Sequence, residues 1–240
     1  MCAERRNSQT KFVSFSGIDG AGKSTQIARF CSKIEQAGFS YSLVSFWDDV
    51  ACFKRIREGA SYMIFKGDRG VGTPSKPINR RDKNVRSWPM TALRPCIYLA
   101  DAFSTRLLMK RTRQFNVDVV IFDRFIYDEL ANLRLENALM RAYARAIARL
   151  VPGPAISFLL DADPIEARAR KPEYPLEFLQ FSRKSYSELN ELIGCFTMIS
   201  PSSIGEVEKE IRERGAAVLS LELIQDTRAR RQHPEESVLQ

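Results

Sequence analysis

The order of apolar segments along the chain predicts a three-layer α/β fold, a parallel sheet of about five strands with helices on both faces. Three observations carry that prediction. Short, near-continuous apolar runs recur at Phe12–Ser16, Val117–Phe122 and Ala155–Leu160, as expected of strands covered on both sides. Stretches with helical apolar spacing lie between them. Strict strand–helix alternation requires crossover connections, which put the helices on the sheet's two faces. The 240 residues suit one large domain, taken as 1–225, followed by a polar tail.

The elements follow in order. Phe12–Ser16 is β-prone and stops at Gly17. Lys23–Ala37 carries Ile27, Phe30, Cys31 and Ile34 on one face, and Gly38 is placed to end that helix. Tyr41–Trp47 reads as a second strand. Pro95 suits a helix start, with Ile97 to Gln114 helical after it. Val117–Phe122 is a buried strand, and Glu136–Leu150 is a helix that ends before Pro152-Gly153-Pro154. Ala155–Leu160 is a strand, Glu177–Leu192 a helix, Cys195–Ile199 the last core strand and Glu206–Arg214 a charged surface helix. Two stretches break the rhythm. Lys66–Pro89 holds seven cations against Asp68 and Asp82, and a loop of that length is expected to be a mobile, functional or merely solvated excursion. Asp226–Gln240, with Arg228, Arg230 and Arg231, reads as a disordered tail.

Composition narrows the classes. With 44% hydrophobic and 28% charged residues the chain is globular rather than disordered. No apolar run approaches the ~20 residues that span a bilayer, and no apolar stretch follows the charged start Met1–Arg6, so neither membrane insertion nor a secretory signal is expected. The five cysteines (Cys2, Cys31, Cys52, Cys96, Cys195) never fall in Cys-x-x-Cys. They read as reduced thiols, placing the protein in the cytoplasm. The single histidine, His233, excludes histidine-based triads and multi-histidine metal sites unless the tail folds back. The net charge of +8 favours polyanionic ligands without choosing among them.

The strongest chemical signal is Gly17-Ile18-Asp19-Gly20-Ala21-Gly22-Lys23-Ser24, which satisfies G-x-x-x-x-G-K-[ST] between a strand and a helix. Glycines let the backbone curl until its N–H groups face phosphate oxygens, and the helix start adds unpaired donors and a positive dipole end. Lys23 would face the β/γ-phosphates and Ser24 would ligate Mg²⁺. ATP or GTP is therefore the expected ligand. The run Val119–Phe122 delivers Asp123 to the carboxyl edge of the sheet, where ligands bind in such folds. There it is expected to hold Mg²⁺ with Ser24, with Arg124 as an anion-binding cation beside it.

Other phosphate-handling classes fit poorly. Asn79-Arg80-Arg81-Asp82 is the nearest string to a guanine-reading Asn-Lys-x-Asp and lacks its lysine; a Leu-Ser-Gly-Gly signature is absent. Small phosphotransferases remain.

Here the chain resembles the thymidylate kinase family. Phe15 to Thr25 looks like that family's phosphate loop, Asp123-Arg124-Phe125 resembles its Asp-Arg-aromatic motif, and Leu160-Asp161-Ala162-Asp163-Pro164 with Glu166 and Arg168 is similar to the stretch leading into its lid. The matches run in order over about residues 11–212. The resemblance implies a P-loop kinase that transfers the γ-phosphoryl group of ATP, with Mg²⁺, to a nucleoside monophosphate, dTMP first. It implies nucleotide contacts from Gly17, Asp19, Gly20, Ala21, Gly22, Lys23, Ser24 and Thr25, with Asp19 on the acceptor sugar. Arg124 would handle the acceptor phosphate. Gly20 fits the subtype whose catalytic arginines come from the lid, which makes Arg168, Arg170 and Lys171 the candidates in a short lid over 166–180 containing Pro172 and Pro175. The plainer alternative for that trio is a basic helix end, which the macrodipole favours.

The acceptor half departs from the pattern. Phe46-Trp47-Asp48-Asp49 stands where the family carries an acceptor-gripping arginine, Ala102 stands where another arginine is usual, with Arg106 one turn later, and Ser16 replaces a glutamate. Two further readings follow. One is a kinase for another small acceptor, a nucleoside or a non-nucleotide, which Trp47, Asp48 and Asp49 favour, since a carboxylate near the acceptor suits a hydroxyl better than a phosphate. The other is a nucleotide-binding module that recognises nucleic acid or a partner through Lys66–Arg86 and the basic tail, where Trp88 alone offers base stacking. The sequence leaves a homodimer open.

Overall fold

A computed structural model describes residues 10–51, 88–113 and 117–219, with the side chains of 88–93 excepted. Cys2, Cys52, His233, the excursion up to residue 87 and the tail 226–240 lie outside the described residues. Five strands form one all-parallel sheet: β1 (Lys11–Ser16), β2 (Tyr41–Ser45), β3 (Val119–Asp123), β4 (Ile156–Leu160) and β5 (Thr197–Ile199), in the spatial order β2-β3-β1-β4-β5. The predicted three-layer α/β class holds.

The alternation of β1 explains the layers. Val13 and Phe15 join one apolar cluster with Ile27, Phe30, Cys31 and Ile34 of α1 (Lys23–Gln36) and Ile211 and Leu219 of α7 (Ile204–Leu219). Phe12 joins the opposite cluster, with residues of α2 (Trp88–Thr112), α3 (Ile126–Leu130), α4 (Ala138–Leu150), α5 (Pro164–Arg170) and α6 (Leu176–Ile193). Phe15 is fully buried, and truncation of such a core phenylalanine costs about 3–5 kcal/mol. Gly215 lets α7 lie close on α1: a Cβ there would stand 3.2 Å from the Phe30 ring.

Several boundaries differ from the sequence reading, for physical reasons. The second strand stops at Ser45 rather than Trp47, because Phe46–Val50 forms a single π-helical turn. The Asp49 carboxylate accepts the Ser45 amide at 2.8 Å and the Ala51 amide reaches back to Phe46 O. Pro95 does not start its helix but lies inside α2, which begins at Trp88 and so takes the last two residues of the supposed excursion. The Pro95 carbonyl accepts the Tyr143 hydroxyl at 2.5 Å. The charged helix predicted at Glu206–Arg214 runs from Ile204 to Leu219 and buries Ile211, Gly215 and Leu219, so it is a packing element and not only a surface one. The stretch 166–180 comprises the end of α5, a five-residue connection and the first turns of α6. Among the described residues no helix is long and apolar enough to cross a membrane.

Candidate functional site

β1 is central, flanked by β3 on one side and β4 on the other, so connections leave its carboxyl end in opposite directions and open a crevice there. The loop 17–22 fills that point. Gly17, Gly20 and Gly22 have φ of 142, 86 and 87°, a region costly for residues with a Cβ. Space adds a second reason at two of them. A Cβ on Gly17 would stand 2.6 Å from Leu160 O, and one on Gly20 would stand 2.2 Å from Ala167 O. The loop is thus pressed between the end of β4 and α5, while Gly22 opens α1 and faces open space. Ser24 and Thr25 are exposed in the first helical turn.

Lys23 is buried and turned back into its own loop. Its Nζ donates to Gly17 O at 3.0 Å and Ile18 O at 2.9 Å. Burial, and then the Arg124 charge, lower its pKa from 10.5 to about 7, against the pull of Asp19, Asp128 and Asp123. Burial disfavours the charged form of an ammonium unless hydrogen bonds or opposite charges offset it, and here the two loop carbonyls and the three aspartates act in that direction.

Asp123 ends β3 in register with Phe15 of β1, and its charge acts on both Lys23 and Arg124. Arg124 itself adopts φ of 70°, the only non-glycine positive φ among the described residues, a conformation that costs roughly 1–3 kcal/mol and persists only where surroundings impose it. They do. Its guanidinium donates to Asp19 Oδ1 at 2.6 Å and Asp128 Oδ1 at 3.1 Å, and stands 3.4 Å from the Tyr186 hydroxyl. Burial would lower its pKa, but Tyr186, Asp19, Asp128 and Asp123 together raise it.

Asp128 is the centre of this network, and the motif reading missed it. Its side chain is 2% exposed. Oδ1 accepts the Tyr186 hydroxyl at 2.6 Å and Arg124; Oδ2 accepts Ser16 Oγ at 2.6 Å and the Phe125 amide at 3.0 Å. Four donors satisfy a buried carboxylate, which is what a stable buried charge requires. Burial, followed by the Asp128 charge, raises the Tyr186 phenol well above its ordinary value, so it remains a donor. One signal was available: Asp128 lies four residues after Arg124, the spacing of a helical ion pair. Tyr186, 58 residues further on, carried none.

A cleft opens beside the network, lined by Gly17, Asp19, Trp47, Arg124, Asp128 and Tyr186, with Asn132, Phe178, Ser182 and Ser185 completing its wall. Asp48 and Asp49, which the sequence reading set at the acceptor, do not line it. Their carboxylates hold Ser45 at the start of the π-helical turn.

The lid candidates divide. Arg168 is partly buried and follows directly on Ala167, whose backbone abuts Gly20. Arg170 is exposed and donates to Glu166 O of its own helix; Lys171 pairs with Glu173 at 3.4 Å. The flanking acids are structural. Asp163 caps α5 through the Ile165 and Glu166 amides, and Asp161 takes a bidentate bond from Arg183 at 2.7 and 2.6 Å.

Magnesium usually takes one or two protein oxygens and obtains the rest from phosphates and water. The exposed Ser24 hydroxyl and the partly exposed Asp123 carboxylate beside the loop fit that demand. Among the described residues no group of three or more His, Cys, Asp or Glu side chains gathers as a metal site. The chain matches no protein-family model and no curated protein.

Proposed function

We propose that the protein is a phosphotransferase that takes the γ-phosphoryl group of ATP and passes it to a small acceptor held in the adjoining cleft. The observation that carries the reading is the pairing of an anion-shaped loop with a buried lysine. Three glycines at positive φ, the N-terminus of α1 and the inward Lys23 converge on one point. Backbone donors and a dipole end favour phosphate there, and Lys23 regains its charge when a phosphate faces it.

Phosphoryl transfer passes through a state with charge spread over the equatorial oxygens, so catalysis is mainly positioning and electrostatic stabilisation. Lys23 would supply one cation and Arg168, with Arg170, others from α5. Magnesium, held by Ser24 and Asp123, would neutralise charge on the phosphates. Asp19 and Arg124 stand between loop and cleft, where donor and acceptor must meet. The resemblance to thymidylate kinases nominates dTMP among acceptors; the second reading, a hydroxyl acceptor, rests on the charges that line the cleft.

The reading is tested by ADP release with ATP and Mg²⁺ across small acceptors, alongside thermal denaturation with ATP–Mg²⁺, since a ligand selective for the folded state raises apparent stability. Lys23→Ala is expected to slow transfer by about 10²–10³-fold, the usual loss of one transition-state donor. A variant as fast as the parent, or a chain that ATP–Mg²⁺ does not stabilise, would overturn the reading.

A further inference from the structure

The charges that line the cleft bear on what it accepts. Two carboxylates, Asp19 and Asp128, stand against one guanidinium, Arg124, so its lining carries a balance of −1; among the described residues no other cation lines it. That one cation is committed. Arg124 is bonded to Asp19 at 2.6 Å and to Asp128 at 3.1 Å, and its side chain is only 12% exposed. A phosphate dianion entering here would meet a surplus of negative charge and would have to break a buried ion pair to gain its cation, a penalty that grows as water is excluded.

An uncharged acceptor meets neither obstacle. Trp47 and Phe178 present aromatic surface to the cleft, and Asn132, Ser182, Ser185 and the Tyr186 phenol bring hydrogen-bonding groups. Flat apolar walls with a few convergent polar groups suit a ring that bears hydroxyls. A hydroxyl acceptor must also lose a proton during transfer, and kinases of alcohols use a carboxylate to receive it. Asp19 belongs at once to the phosphate loop and to the lining of the cleft, and its side chain is 15% exposed against 2% for Asp128.

We infer that the acceptor is an uncharged ring-bearing alcohol of the nucleoside class, phosphorylated on a hydroxyl oxygen, with Asp19 receiving the proton. This rests on the phosphotransferase reading above. In the step, the bond from the γ-phosphorus to the β,γ-bridging oxygen breaks and a bond from that phosphorus to the acceptor oxygen forms. The hydroxyl proton passes to the Asp19 carboxylate and then to water, and ADP leaves with the electron pair of the broken bond. The products are ADP and a nucleoside monophosphate.

The test incubates the full chain with ATP–Mg²⁺ and a panel of nucleosides and their monophosphates, reading the new linkage by phosphorus NMR. Monoester formation on nucleosides is expected, with kcat/KM for each monophosphate lower by roughly tenfold or more from like-charge repulsion. Asp19→Asn is expected to narrow that gap while slowing transfer to the hydroxyl. Diphosphate products at the higher rate would overturn the inference while leaving the phosphotransferase intact. So would stabilisation by ATP–Mg²⁺ with no transfer to any member of the panel. Absence of ATP–Mg²⁺ stabilisation would instead overturn the reading on which the inference rests.

Discussion

The glycine-rich loop and the cleft beside it are held by opposite means. The loop takes its shape from the backbone: glycines at φ of 86 and 87°, carbonyls that receive Lys23, and a helix that begins where the loop ends. The cleft takes its shape from side chains far apart in the chain, with Asp128 gathering Ser16, Arg124 and Tyr186. A backbone device tolerates few residue types at fixed spacing. A side-chain network can be assembled from many sequences, provided its charges are satisfied. The contrast teaches why one region carries a readable motif and the other does not.

The sharpest way to break the contrast is Asp128→Ala. It leaves Arg124, Tyr186 and Ser16 without their common acceptor, and removing one partner of a buried ion pair costs about 3–5 kcal/mol. Urea unfolding checks this; a loss under about 1 kcal/mol would mean that the network does not hold the cleft. Gly20→Ala attacks the loop instead. The new Cβ would run into Ala167 O at a strained φ, for a cost of roughly 1–3 kcal/mol read in the same unfolding experiment, together with weaker ATP binding as α5 is displaced.

A third prediction distinguishes loop from cleft by proton count. Lys23 in the folded chain has its pKa lowered from 10.5 to about 7. Between those values the unfolded chain binds more protons than the folded one, so this group makes stability rise with pH through that window and withholds it below about 7. On the proposed reading, a triphosphate facing Lys23 would restore the charge. Its binding near pH 8.5 should take up close to one proton, and near pH 6 almost none, measured by titration calorimetry in buffers of different ionisation heat. Uptake that does not change with pH would place Lys23 elsewhere. Last and smallest, Asn137→Ala removes the cap that accepts the Leu139 amide at 2.8 Å at the start of α4, a residue outside both the loop and the cleft lining. It should cost about 1 kcal/mol and leave nucleotide binding unchanged.

The strands were legible because apolar runs such as Val119–Phe122 can only be buried on both faces. Their ends were less so. Trp47 is as β-prone as its neighbours, yet Asp49 captures the Ser45 amide and turns the chain into the cleft. Pro95 looked like a beginning and proved an interior position of α2, with its carbonyl accepting the Tyr143 hydroxyl. Asp48 and Asp49 looked like acceptor-facing acids and serve the turn; Asp161 and Asp163 looked like part of a lid motif and serve Arg183 and a helix cap.

By itself the sequence determined the layered α/β plan and the glycine–lysine loop at the end of the first strand, since both follow from rules that act over a few adjacent residues: alternation, apolar runs, and the steric freedom of glycine. Only the tertiary structure decided that Lys23 is buried, that Arg124 is locked between Asp19 and Asp128, and that the cleft is lined with more carboxylate than cation. Those outcomes depend on distance through space between residues such as Asp19 and Arg124, 105 positions apart, and Coulomb and desolvation energies are set by that distance and by burial rather than by order along the chain.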